Sequence, residues 1–288
     1  MRGCSCRGTA GFVHVSCLAE QAKIWMDEAE ENDLDGKALD ERWNRWHTCG
    51  LCKQQYHGVV WCALGWACWK TYVGRPETDE LQGIAMAQLG NGLYAAGHSD
   101  EALSVEEANL SMRRRLGGSE DDVLIAQGCL AVSYANLGRD EEALSMTREV
   151  YSGRLKLDGE EDRMTIAAAS NYAAPLCLLQ RFEEAKALLR RTIPTARRVL
   201  GENDNITLRM RHLYAAALHQ DPGATLDDLR VAVTTFEDVG RIARRVLGGA
   251  HPFVLTIEQA LRRSREVLSA REVSIVCEAV EAMTSGDA

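Results

Sequence analysis

Apolar residues along this chain recur at helical spacing, and the helical stretches themselves recur about every 42 residues. A large–small pair marks the first helix of each unit: Leu89-Gly90, Leu130-Ala131 and Tyr172-Ala173, with a degenerate fourth copy at Tyr214-Ala215. Twelve residues after the small member stands an alanine within an acidic run: Ala102, Ala143 and Ala185. The units close on Leu116-Gly117, on Leu157 with Gly159, on Leu200-Gly201 and on Leu247-Gly248. In the second copy the pattern predicts a helix capped by Asp121 or Asp122, carrying Leu124, Ile125, Leu130, Val132, Tyr134 and Leu137, and stopped by Gly138. Asp140-Glu141-Glu142 then opens a partner helix, and those charges complement its N-terminal dipole. Ala143, Leu144, Met146, Val150, Leu155 and Leu157 supply its stripe.

The constant interval between small residues has a packing reason, because antiparallel helices approach closely only where small side chains face each other. Units of this kind bury little alone and stack to make a core. The fourth copy departs from the pattern. An insertion around Gln220-Asp221-Pro222-Gly223-Ala224 predicts a turn, its second helix is expected from after Thr225 to Leu247, and His251-Pro252 opens a further helix through about Ala270. Arg262, Arg263, Arg265 and Arg271 are read as a solvated capping face, residues 271–288 as a terminal helix and tail, and Thr284–Ala288 as frayed.

The large–small pairs, Tyr134 three residues after Ala131 and the later alanines resemble the tetratricopeptide repeat (TPR). The period and the Leu-Gly closures resemble more specifically its kinesin light chain branch. The resemblance covers residues 79–255 and implies an all-α fold, a right-handed superhelix of antiparallel helix pairs whose first helices line a groove for a protein or peptide ligand. That branch places a peptide-clamping asparagine just before the large–small pair. Asn171 alone occupies the position here, with Gln88, Cys129 and Leu213 at the equivalents.

Cysteine usage is lopsided. Of the 10 cysteines, Cys4, Cys6, Cys17, Cys49, Cys52, Cys62 and Cys68 precede residue 70, as do all 6 tryptophans. The composition therefore breaks near Gly74-Arg75-Pro76, which divides a cysteine-rich module (1–58) and a Trp-rich linker helix (59–78) from repeats over 79–270. Thiols clustered in a chain without a secretion-type apolar segment read as metal ligands rather than disulfides, and tetrahedral zinc suits them. A reduced, metal-free cluster is the alternative. Cys4-x-Cys6, His14-x-x-Cys17 and Cys49-x-x-Cys52, with Gly8-Thr9 and Tyr56, resemble the latter part of a RING-CH finger, a C4HC3 variant found in one class of ubiquitin ligases. The resemblance implies one zinc held by Cys4, Cys6, Cys49 and Cys52, with His14 and Cys17 in an incomplete second site that lacks the family's first Cys pair. Three readings stand for that half-site: a chain truncated at its start, a rearranged site completed by His47, His57 or Cys62, or a vestige with both residues in the core. Cys62 and Cys68, in an apolar Trp-rich segment, read as core thiols, and Trp25, Trp43 and Trp46 as packing for a small zinc-stapled core.

Charge and motifs narrow the function classes. A formal net charge of −9 argues against non-specific nucleic-acid binding, and no apolar run is long enough to span a bilayer. The start lacks a signal peptide's apolar segment, so a cytoplasmic location is expected, with the nucleus as the alternative. No phosphate-binding loop, dinucleotide fingerprint, nucleophile elbow or His-Glu-x-x-His helix occurs. Two readings follow: an interaction scaffold without catalytic residues, or a ubiquitin ligase whose repeats select substrate while the finger recruits a ubiquitin-conjugating enzyme.

Overall fold

A computed structural model describes Cys4 and residues 14–285. Its helices are α1 (Val15–Glu31), α2 (Gly36–Trp43), α3 (Gly58–Tyr72), α4 (Glu80–Ala95), α5 (Ser99–Arg115), α6 (Glu120–Asn136), α7 (Asp140–Leu157), α8 (Arg163–Leu178), α9 (Phe182–Val199), α10 (Asn205–Gln220), α11 (Leu226–Leu247) and α12 (Pro252–Ser285), with a 3₁₀ turn at Asn44–Trp46. Among the described residues the only extended pairing is an isolated bridge between Thr48 and Gln55. The fold is all-α and TPR-like. Within each unit helices pack against sequence neighbours, as α3 with α4, α5 with α6, α8 with α9 and α10 with α11, and the first helices of successive copies also touch, α4 with α6, α8 with α10 and α10 with α12. Two compact units result, residues 1–153 and 154–288, and the division falls within α7.

The period is written most plainly in the helix stops. Gly97 and Gly138 end first helices, while Gly117, Gly159, Gly201 and Gly248 end second helices, all in the left-handed region. There the next N–H folds back five residues: His98 N to Leu93 O at 3.0 Å, Gly118 N to Arg113 O at 2.9 Å, Arg139 N to Tyr134 O at 3.0 Å. Gln180 occupies the same place after α8 with φ +58°, and Arg181 N still reaches Leu176 O at 2.8 Å. Helix starts repeat too. Asp79, Asp162 and Asp204 each accept the N–H two residues on, at 2.9, 2.6 and 2.8 Å. Second helices open instead on a basic residue paired with a glutamate three positions later: His98–Glu101, Arg139–Glu142 and Arg181–Glu184.

Thr225 caps α11 in a reciprocal box with Asp228, as the turn signal at Pro222-Gly223 predicts, and the helix ends at Leu247. Three expectations are corrected. The cap of α6 is Ser119 rather than Asp121 or Asp122, because Ser119 Oγ accepts the Asp122 N–H while Arg113 takes the Asp122 carboxylate. α12 does not break near Ala270 but runs unbroken to Ser285. The space beside Gly90, the small member of the first pair, is filled by the Glu106 carboxyl, into which a Cβ there would run.

The Trp-rich segment is a packed helix of the first unit. α3 crosses α4 so closely that a Cβ on Gly65 would stand 2.9 Å from the Gln88 carbonyl, and one on Gly92 would stand 2.9 Å from the Trp61 carbonyl. Trp46 and Tyr72 are fully buried between α1, α3 and α4 with Ala22, Met26, Cys68 and Ala85. Gln88 Nε2 donates to the Trp46 carbonyl at 3.2 Å. The Gly74–Pro76 stretch is tied down: Arg75 binds Glu30 at 2.7 Å and Asp79 at 3.2 Å, and Gln82 donates to the carbonyls of Val73 and Arg75. Trp25 lies beneath the guanidinium groups of Arg42 and Arg45.

The left-handed stops give a stability test. Replacing Gln180 by Gly relieves a side chain held at positive φ and raises stability by about 0.5–1 kcal/mol, whereas Gly138→Ala lowers it by about 1 kcal/mol. Urea midpoints for the two variants check both signs.

Candidate metal centre and repeat surface

The turn that carries Cys49 and Cys52 is held by its own backbone. Cys49 N donates to Gln54 O at 2.8 Å, Lys53 N returns to Cys49 O at 3.0 Å with Lys53 at φ +58°, and Tyr56 N donates to His47 O at 2.8 Å. This places the two sulfurs on one side of the turn, where Cys4 joins them. All three Sγ atoms lie within 4.8 Å of one another. A tetrahedral zinc with Zn–S of about 2.3 Å needs sulfurs about 3.8 Å apart, so the donor set fits that ion after small adjustments. Behind the thiols lie Tyr56, Val60 and Leu64. Burial and then the neighbouring Cys49, Cys4 and Cys52 push the Tyr56 phenol up, so it stays protonated. Gly50 leaves room for Arg45, whose guanidinium a Cβ there would strike.

Cys6, the fourth member of the sequence-derived site, lies outside the described residues. His14 caps α1 and Cys17 sits in its first turn, both exposed. Among the described residues neither joins a group of three metal-ligating side chains, and the same holds for His47, His57 and Cys62. Burial holds the His47 imidazole neutral, its pKa lowered to about 4.

The four positions equivalent to the peptide-clamping asparagine have different occupations. Gln88 is buried and spent on Trp46, as above. Cys129 is packed near Glu106 and bonded to Asn91, and burial followed by the Glu106 charge pushes its thiol up. The Leu213 carbonyl faces the Cys177 thiol at 3.9 Å. Asn171 on α8 accepts from Arg209 on the adjacent first helix α10, Nη1 to Oδ1 at 2.9 Å. A guanidinium only donates, so this contact fixes the amide orientation and leaves Nδ2 pointing elsewhere. Pro175, within α8, has no N–H to give the Asn171 carbonyl four residues earlier.

Sequence reading missed Glu106. It is 2% exposed, its Oε2 has no partner, and its carboxyl fills the space that Gly90 leaves open. The positions that follow the later alanines by the same four residues hold Thr147 and Leu189, both buried. Loss of water raises the Glu106 pKa to about 8, against a weaker opposing pull from Arg113. The signal was available as a glutamate at a core position opposite the one glycine among the small members. Cys68 and Cys177 have thiols pushed up by burial, Cys177 to about 11, which makes them packing groups rather than nucleophiles.

Residues 165–205, the third copy, match the tetratricopeptide repeat family. No curated protein matches the chain in sequence. Among solved structures, the TPR-like repeats attributed to a kinesin light chain of Podosopora anserina align over 81% of this chain and 98% of that one, at 19% identity and TM-score 0.49. BtubC (BKLC) of P. vanneervenii aligns over 91% and 93% at 14% identity and TM-score 0.45. The TPR2AB domain of yeast Sti1, in complex with pHSP90, aligns over 87% and 99% at 13% identity and TM-score 0.31. The repeat assignment rests on this chain's own helix pairs and on the family match.

Because Glu106 has a folded pKa above its unfolded value of 4.5, its contribution to stability is complete below that value and is lost as pH rises through about 8. Glu106→Gln therefore raises stability near pH 8 by roughly 1–3 kcal/mol and by little near pH 5. Thermal melts across that range check the divergence.

Proposed function

We propose that this chain is a protein-binding scaffold whose first helices carry the recognition surface. The observation that carries the reading is the Asn171 position within the copy that matches the tetratricopeptide repeat. The side chain is braced by Arg209, and its Nδ2 remains to donate. A braced amide donor on a first helix complements the C=O of an extended peptide main chain. Raised thiol pKa values and the absence of catalytic motifs agree with binding rather than chemistry. Panning the whole chain against a peptide library should yield ligands that lose about fivefold or more in affinity with Asn171→Ala or Arg209→Ala. Ligands indifferent to both substitutions would contradict the site.

In the same reading the N-terminal module is stapled by one zinc ion held by Cys4, Cys49, Cys52 and Cys6. When bound, zinc supplies a cross-link that the small core of Tyr56, Val60 and Leu64 lacks. Metal analysis of the purified chain should give one zinc per chain, lost in the Cys49→Ser/Cys52→Ser double variant. A metal-free, folded chain would overturn the assignment.

A second reading, ubiquitin ligation with the module recruiting a conjugating enzyme, is favoured by Leu51. That side chain lies between the two turn cysteines and is 70% exposed, so apolar surface stands beside the thiols. Ubiquitin chains formed in a reconstituted assay and lost with Leu51→Glu support it; no chains from zinc-loaded protein exclude it for this chain.

A further inference from the structure

The three thiols that lie together differ in their surroundings. Cys49 is 6% exposed, whereas Cys4 and Cys52 are half-buried. Metal coordination makes each of them a thiolate. Water can answer the charge on Cys4 and Cys52, but Cys49 is shut off from it, and a buried charge without a hydrogen-bond donor is costly. A donor is in place. The Tyr56 hydroxyl is hydrogen-bonded to the Cys49 sulfur, and Tyr56 is itself 5% exposed.

The backbone explains why these two side chains meet. Thr48 and Gln55 form an antiparallel bridge, flanked by bonds from Cys49 N to Gln54 O and from Tyr56 N to His47 O, both 2.8 Å. Cys49 therefore lies opposite Gln54, and Tyr56 opposite His47. Residues 49 and 56 are diagonal neighbours on one face of this pair, within reach of an aromatic side chain. Val60 and Leu64 of α3 pack behind the ring, at 2% and 0% exposure. The hydroxyl is thus aimed by the same hairpin that presents Cys49 and Cys52.

A tyrosine hydroxyl both donates and accepts, but a metal-bound thiolate carries no proton and only accepts. The bond therefore runs from the Tyr56 O–H to the Cys49 Sγ. Such a bond draws charge from the sulfur, and groups bonded to metal ligands govern how tightly the metal is held. Arg45 also brings charge to this turn. Stacked on Trp25 at 4.1 Å, its guanidinium fills the space beside Gly50. Its influence is a field that salt screens, whereas a bond between buried atoms is screened far less.

We propose that Tyr56 sets how tightly the cysteine centre holds its metal, by donating its hydroxyl hydrogen bond to the Cys49 thiolate. That role rests on the zinc reading above and adds to it a requirement for the phenol besides the thiols. Tyr56 does not ligate the metal; it acts through Cys49.

Cobalt(II) on the full chain is the probe, because its sulfur charge-transfer band reports the charge on sulfur while its ligand-field bands report tetrahedral coordination. Tyr56→Phe keeps the ring and removes the donor. The charge-transfer band should move to longer wavelength with the ligand-field bands retained, and zinc affinity in chelator competition should fall about tenfold or more at low and high salt alike. Tyr56→3-fluorotyrosine, a stronger donor of nearly the same shape, should move the band to shorter wavelength. Val60→Ala loosens the same core without touching the donor and should leave the band in place. A Tyr56→Phe chain with the parent's spectrum and affinity, or a Val60→Ala chain with an equal band shift, overturns the role of Tyr56 and leaves the zinc reading standing. A parent chain that binds neither metal overturns both.

Discussion

A helix pair of this kind cannot cover its own apolar face, and this constraint governs the architecture. Each pair is finished by its neighbours, so a stack must find cover for the helix at its beginning. In the first unit the cover is the cysteine-rich module. Trp46 and Tyr72 close over α4, glycines at 65 and 92 let α3 lie against it, and Gln88 spends its amide on the Trp46 carbonyl. The position that could have faced a ligand in the first copy is thereby used to hold the module in place. In the second unit α12 covers α10 and α11, with Val254 and Ile257 fully buried against Phe236 and Val239.

Two buried titratable groups within this apolar packing have opposite pH consequences. Glu106 lies against Gly90 and favours its neutral form, so alkaline conditions weaken its surroundings. His212 lies between Phe236 and Phe253, and burial and then Arg209 lower its pKa to about 4. Its contribution is present above about pH 6.5 and is lost as pH falls toward 4. His47 in the first unit shares the acid sensitivity of His212, whereas the alkaline sensitivity comes from Glu106, and the helix period is left intact.

The helix period was legible because it is a local property. Left-handed stops, aspartate caps and apolar stripes are each set within a few residues, so the limits of α11 could be read from Thr225 and Leu247. What depended on tertiary neighbours was less visible. The interval from Gly90 to Ala102 suggested two small residues in contact, yet Glu106 fills that space, because a one-dimensional interval does not say which turn of a helix faces the gap. Ser119 took the cap expected of Asp122 because Arg113, from the preceding helix, claims that carboxylate. Cys49 and Cys52 were paired by spacing alone. The approach of Cys4 from more than forty residues away came from a family resemblance, which no local rule supplies.

The cysteine-rich module is the cover of the first repeat, and Trp46→Ala tests that most directly when followed by amide hydrogen exchange. Protection should fall in α1, α3 and α4 while α9, α10 and α11 keep theirs. If α4 remained as protected as in the parent chain, the module would be an appendage and the account would be wrong.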